Sequence, residues 1–205
     1  MSKIRYFWQQ SWLLLVSAFF FGLLLAVTDA AWGPRIVENE QREINLKMTA
    51  LLPEAAKFEH AADVDINLPK GKIFESRISK ALSDANECVG WIFDAEGVGF
   101  ADKIKMIIAV DKDFEKITGI DFAAINETPG FGDRANQPAF RAQFAQAPAD
   151  GLKLVKIGDA QKIDSEIVAI TGATVTSTAV VDAVNNAIKP IKEHLLTNGL
   201  IQNAK

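Results

Sequence analysis

Cysteine and histidine are almost missing from this chain. Its 205 residues include one Cys, Cys88, and two His, His60 and His194. A single Cys forms no internal disulfide, and one Cys with two distant His assembles no Cys/His zinc site. The carboxylates follow neither EF-hand nor HExxH spacing, so no metal site is expected. A Ser-His-Asp nucleophile needs a positioned histidine. His60 falls in a polar connector, and His194 near a helix end, where it complements the C-terminal dipole. No catalytic residue is therefore assigned. Cys88, in a strand-like run, reads as a small buried hydrophobe. Basic residues are outnumbered 22 to 26, for a net charge of −4. That balance excludes the basic footprint of a nucleic-acid surface.

What the chain has in plenty is apolar residues near its start. Tyr6 to Thr28, 23 residues between Arg5 and Asp29, carry no charge. As a helix at about 1.5 Å per residue the stretch reaches roughly 34 Å, enough for a hydrocarbon core of about 30 Å. Lys3 and Arg5 precede it, so the positive-inside bias keeps the N-terminus cytoplasmic and exports the rest. Trp8, Trp12 and Trp32 sit near its ends, where indoles favour the interface. A cleaved signal peptide shares the basic start and apolar middle. The stretch is long for an h-region, however, and no clean A-x-A site follows, which favours an uncleaved anchor. The expected organisation is a cytoplasmic N-terminus (1–11), a transmembrane helix (12–31), a stalk helix (32–60) and an extracytoplasmic domain (61–205).

Pro34 can open a helix, and Ile36–Leu52 reads as helical before Pro53 stops it. Past Gly71 the pattern changes to short β-like runs: Val89–Asp94, Ile104–Val110 and Ile117–Ile125. They are split by Glu96-Gly97, by Asp111-Lys112-Asp113 and by a Pro-Gly loop after Asn126. Asn136–Gln146 suits a short helix, and Leu152–Ile157 and Ile167–Ile170 suit strands. Ser177–Leu196 reads as an amphipathic helix that Pro190 bends or shortens. Strands followed by a terminal helix, with little β/α alternation, predict an α+β fold. There is no internal repeat.

Two segments could carry chemistry. In Glu127-Thr128-Pro129-Gly130-Phe131-Gly132, Pro129 fixes φ and Gly130 tolerates φ > 0, which specifies a tight turn. Gly130 and Gly132 also let backbone approach a flat ligand, and a larger residue at Gly130 is expected to clash. The second segment is Thr171-Gly172-Ala173-Thr174-Val175-Thr176-Ser177, between an apolar strand and the terminal helix. Small residues and hydroxyls at a helix entrance offer free N–H groups and a positive dipole end, which suit a phosphate. It lacks the Gly-x-x-x-x-Gly-Lys of a nucleotide P-loop. The plain alternative is that Thr176 or Ser177 only caps the helix.

Taken together, the TGATVTS segment, the Ala-Val-Val helix after it and the ETPGFG loop upstream resemble the FMN-binding domain of the G subunit (RnfG) of the Rnf electron-transport complex. The resemblance extends to the N-terminal membrane helix, the Leu-Leu-Pro after the stalk and the strand order. The related C subunit (NqrC) of the sodium-translocating NADH:quinone reductase shares the pattern, usually with Ser in place of Thr171, and is the alternative within this class. A cofactor-free anchored interaction module is the alternative outside it.

The resemblance implies FMN bound covalently, its phosphate esterified by a dedicated flavin transferase to the threonine ending the (S/T)GAT motif, here Thr174. Thr171, Gly172, Ala173, Thr176 and Ser177 complete the attachment segment, and Glu127, Thr128, Pro129 and Gly130 contact the isoalloxazine region. It further implies a single-pass inner-membrane flavoprotein with its C-terminal domain in the periplasm. Such a protein relays electrons within an ion-translocating complex and has the other subunits as partners. Two positions depart from the family pattern. Val168 stands six residues before Thr174 where Asp is usual, and Gly99-Phe100-Ala101 replaces a Gly-Tyr-Gly segment.

Overall fold

The computed structural model of the chain describes residues 2–68 and 71–201, with side chains from Ser11 onward. The side chains of Lys3, Arg5 and Trp8 therefore lie outside the described set. Two compact units result, Met1–Asn45 and Leu46–Lys205.

The first unit is helical throughout. Helix α1 runs unbroken over Ser2–Leu51, with Pro34 inside it. Anchor and stalk are thus one helix, and Pro34 does not open a second. A proline in a helix interior deletes one backbone hydrogen bond, and the alanines and acidic residues around this one are compatible with continued helix. The apolar part of α1 is long enough to cross a membrane.

The second unit is built on an antiparallel sheet of five strands in sequence order: β1 (Lys57–Leu68), β2 (Lys72–Leu82), β3 (Cys88–Val98), β4 (Lys103–Asp111) and β5 (Ile117–Ile125). Side chains alternate across the strands, so the register places Ile78 opposite Phe93, and Phe93 opposite Ile108. These side chains, with Trp91, Met106 and Val110, form one apolar face. Helix α3 (Thr174–Thr197) covers it with Val180, Val184, Ala187, Ile188 and Ile191. Between β5 and α3 lie a 3₁₀ turn at Gly132–Asn136, the short helix α2 (Pro138–Arg141) and a second 3₁₀ turn at Ala142–Phe144. Two short parallel strands follow, β6 (Lys153–Val155) and β7 (Glu166–Val168). The architecture is α+β, as expected.

Several local expectations change. Residues 57–60, expected in the stalk, begin strand β1, so His60 sits in a strand beside a bulge and not in a connector. The single α-helix expected over Asn136–Gln146 is instead a four-residue helix flanked by 3₁₀ turns. Helix α3 passes through Pro190 without stopping and starts three residues before Ser177. Cys88 is half-buried against the core, and burial pushes its thiol up from the ordinary value.

Candidate functional site

Three connections meet at one end of the sheet. They are the turn after β3, the loop after β5, and the loop from β7 into the first turn of α3. Together they wall a cavity of about 450 Å³ lined by Phe100, by Glu127, Thr128, Phe131 and Gly132, and by Gly172 through Thr176. The volume falls within the range typical of small-molecule sites, about 300–1,000 Å³.

Glu127 joins the three walls. The residue is 7% exposed. It accepts a hydrogen bond from the Thr176 hydroxyl at 2.6 Å and from the backbone N–H groups of Ala101 at 3.0 Å and Asp102 at 3.4 Å. Among the described residues no cation pairs with it. Burial pushes its carboxyl up, but the Thr176 hydroxyl and the N–H groups of Ala101, Asp102 and Phe100 outweigh that and hold it below the ordinary value. Two glycines make room for the arrangement. A Cβ at Gly132 would lie 2.6 Å from Glu127 Oε2 and 2.7 Å from Thr176 Oγ1, and one at Gly99 would overlap Glu127 Oε1.

The Thr128-Pro129-Gly130-Phe131 turn closes through the Phe131 N–H donating to the Thr128 carbonyl at 3.2 Å. Gly130 has φ +79°, the left-handed position that a type II turn needs after proline. Pro129 and Gly130 do not line the cavity; they shape the turn that presents Thr128 and Phe131. The expected clash at Gly130 is absent, since a Cβ there would meet nothing within 4 Å. What restricts the position is its backbone conformation.

The entrance of α3 is open. Ala173 precedes it in a non-helical conformation, with no side-chain cap. The first four N–H groups of a helix have no partner within it. Ser177 N–H reaches Ala173 O at 2.9 Å, while those of Thr174, Val175 and Thr176 have no backbone partner among the described residues.

Neither Thr176 nor Ser177 is the cap expected of it. Thr176 is buried and donates to Glu127. Ser177 is buried too: its hydroxyl donates to Ala173 O at 2.9 Å and accepts from Ile170 N–H at 3.0 Å. Thr171 and Thr174 are exposed, and the Thr174 hydroxyl has no hydrogen-bond partner among the described residues. Thr171 lines a smaller cavity of about 230 Å³ behind the loop, and its carbonyl accepts from Arg134 Nη1 at 3.3 Å.

Phe131 and Val175 lie within the two motifs but carry no assigned role there, and Gln143 lies outside both. Phe131 and Val175 form apolar wall, 54% exposed each. Gln143, buried under β7, accepts from Val168 N–H at 2.7 Å and donates to Val168 O at 3.3 Å. Its amide thus satisfies the backbone of Val168. No sequence signal singled out Arg134 or Gln143, because each acts on a backbone segment far away in the chain.

Aromatic and aliphatic walls beside a helix entrance with unpartnered N–H groups fit a flat ring bearing a phosphate. Comparison with known proteins agrees. Residues 99–189 match the FMN-binding domain family. The chain is 29% identical over 166 residues to the G subunit of the ion-translocating oxidoreductase complex of Methanosarcina acetivorans, covering 81% of this chain and 83% of that one. It is 29% identical over 178 residues to the G subunit of the proton-translocating ferredoxin:NAD(+) oxidoreductase complex of Clostridium ljungdahlii, covering 87% and 88%. In fold it resembles the crystal structure of Shewanella oneidensis NqrC, with a TM-score of 0.56 at 24% identity over 73% of this chain and 72% of that one.

Proposed function

From the match of residues 99–189 to the FMN-binding domain family, we propose that this chain carries FMN covalently on Thr174 and relays electrons within an Rnf-type ion-translocating complex. The observation that carries the reading is the exposed, unpartnered Thr174 hydroxyl at the open entrance of α3, on the wall of a cavity large enough for a ring system. Bound there, FMN supplies electron transfer. The chain supplies attachment and surroundings. The free N–H groups of the first turn and the positive end of the helix dipole would favour the charge of a phosphodiester on Thr174, by about 0.3–1 kcal/mol at an exposed site. Phe100 and Phe131 offer aromatic surface, and Glu127 keeps the three walls together. Thr176 and Ser177 serve the fold and not the ester.

In this reading α1 is a single-pass inner-membrane anchor, its basic start cytoplasmic and the FMN domain periplasmic. The partners are the other subunits of the complex and a flavin transferase that makes the ester. Intact-mass analysis of the full chain, produced with and without a co-expressed flavin transferase, tests the cofactor. An FMN increment only with the transferase is expected; no increment in either case would refute covalent attachment. Protease added to cells with a permeabilised outer barrier should digest the domain. Protection while the cytoplasm stays sealed would refute the orientation.

A further inference from the structure

Of the residues lining the larger cavity, Glu127 alone is ionisable. Its carboxylate is buried, and all its hydrogen-bond donors are neutral: the Thr176 hydroxyl and the N–H groups of Ala101 and Asp102. The cations on adjoining segments are engaged elsewhere. Lys103 pairs with Glu96 at 2.6 Å, and Arg134 donates to the Thr171 carbonyl. Among the described residues, a full negative charge therefore stands without an ion-pair partner in the wall of a cavity whose other lining side chains are uncharged.

We propose that Glu127 sets the redox poise of this site: its carboxylate holds a flavin bound in the cavity at a lower reduction potential than a neutral side chain would. The inference rests on the reading that FMN occupies this cavity. Full reduction moves two electrons from a reductant to the ring and takes up protons from water. Any negative charge not matched by a proton is repelled by Glu127, whereas the uncharged oxidised ring is not. Walls formed by Phe100, Phe131 and Val175 replace water with less polarisable matter, which strengthens the repulsion. The donors that hold the Glu127 carboxyl below its ordinary value keep it ionised near neutral pH. The carboxylate thus acts on the ring as a fixed charge as well as joining the walls.

The test is a spectroelectrochemical titration of the full flavin-loaded chain in detergent at neutral pH, with dithionite as reductant, oxidised to sulfite. Glu127→Gln keeps the shape. Its carbonyl can accept from Ala101 and Asp102, and its amide can donate to the Thr176 oxygen. The expected result is a higher potential, on the order of tenfold in the equilibrium constant, or about 30 mV for the two-electron couple. Glu127→Asp draws the carboxylate back by one methylene, which breaks the same junction but retains the charge, so its potential should shift much less than that of Glu127→Gln. An unshifted Glu127→Gln, or a Glu127→Asp shift as large as that of Glu127→Gln, overturns the proposal and leaves Glu127 a structural junction. If Glu127→Gln does not fold, Val175→Lys adds the opposite charge at the rim without touching the junction. It should raise the potential, and no change would overturn the proposal. Loading is checked first by mass: an unloaded wild type counts against the cofactor reading itself, whereas a loaded chain with unshifted variants counts against Glu127 alone.

Discussion

Replacing Thr176 by aspartate separates two ways in which its hydroxyl could serve the fold. As a helix cap, Asp is at least as good as Thr, and the variant would be neutral or slightly stabilised. In the structure, however, Thr176 is 2% exposed and donates to the Glu127 carboxylate at 2.6 Å. An aspartate there sets a second carboxylate against the first, and among the described residues no cation pairs with Glu127 to offset them. Two like charges about 4 Å apart repel by about 4 kcal/mol at an effective dielectric of 20. One carboxyl must then take up a proton, or the loops must separate. Thr176→Val is milder. It removes a hydrogen bond to a charged group, worth about 1.5–3 kcal/mol, and leaves Glu127 Oε2 short of a donor. For a unit of this size each kcal/mol moves the midpoint by about 2–4 °C, so Val should lower Tm by about 3–12 °C and Asp by more. Near-UV circular dichroism of the full chain in detergent reads the melt. Thr178→Val is the control, because its hydroxyl is exposed and bonds only its own helix, at Thr174 O. That loss should stay within about 0.5 kcal/mol. An aspartate variant melting at or above wild type would show that the Glu127–Thr176 bond does not hold the site together.

Other perturbations follow from the same geometry. Gly130→Ala meets no neighbour but must hold φ +79°, so it should cost about 1–2 kcal/mol; a loss well beyond that in a denaturant melt would mean a contact is missing from the account. The Glu127 carboxyl is raised by burial and lowered more by Thr176 and the backbone N–H groups. Its contribution is therefore present above the ordinary carboxylate pKa and is lost as pH falls through the depressed folded value. The stability difference between wild type and Glu127→Gln should accordingly shrink on acidification, and a difference that grows would reverse the assigned sign. Gln143→Leu leaves Val168 N–H and O without partners, at about 1–3 kcal/mol for each buried group. Faster hydrogen exchange at Val168 than at a core amide such as Ile108 is the readout, and unchanged protection would refute the bridge.

The elements legible in the sequence are those whose environment is one-sided or fully apolar. Strand β4 and the buried stripe of α3 could be read because Ile104, Met106, Ile108, Val180 and Val184 all face one core. Strand β1 escaped notice because it lies at the edge of the sheet and carries Glu59, His60, Asp63 and Asp65. Such charges protect an edge from further pairing and dilute the alternation that marks a strand. At the site, both segments were visible as motifs, and the structure brings Glu127, Thr128 and Gly172 through Thr174 onto one cavity. The roles within them were less visible. Thr176 looks like a cap in sequence because hydroxyls at helix starts usually are. Its real partner, Glu127, is 49 residues away, a distance that local reasoning does not reach.

The central claim is that one hydroxyl of four, that of Thr174, carries the flavin. Thr176 and Ser177 are buried with their hydroxyls engaged, and Thr171 lines the smaller cavity behind the loop. Peptide mapping by mass spectrometry of the full chain, co-produced with a flavin transferase, tests this most directly. The FMN increment is expected on Thr174, with complete loss in Thr174→Val while the fold is retained, and with persistence in Thr171→Val. An increment on Thr171, or flavin still attached in Thr174→Val, would contradict the claim.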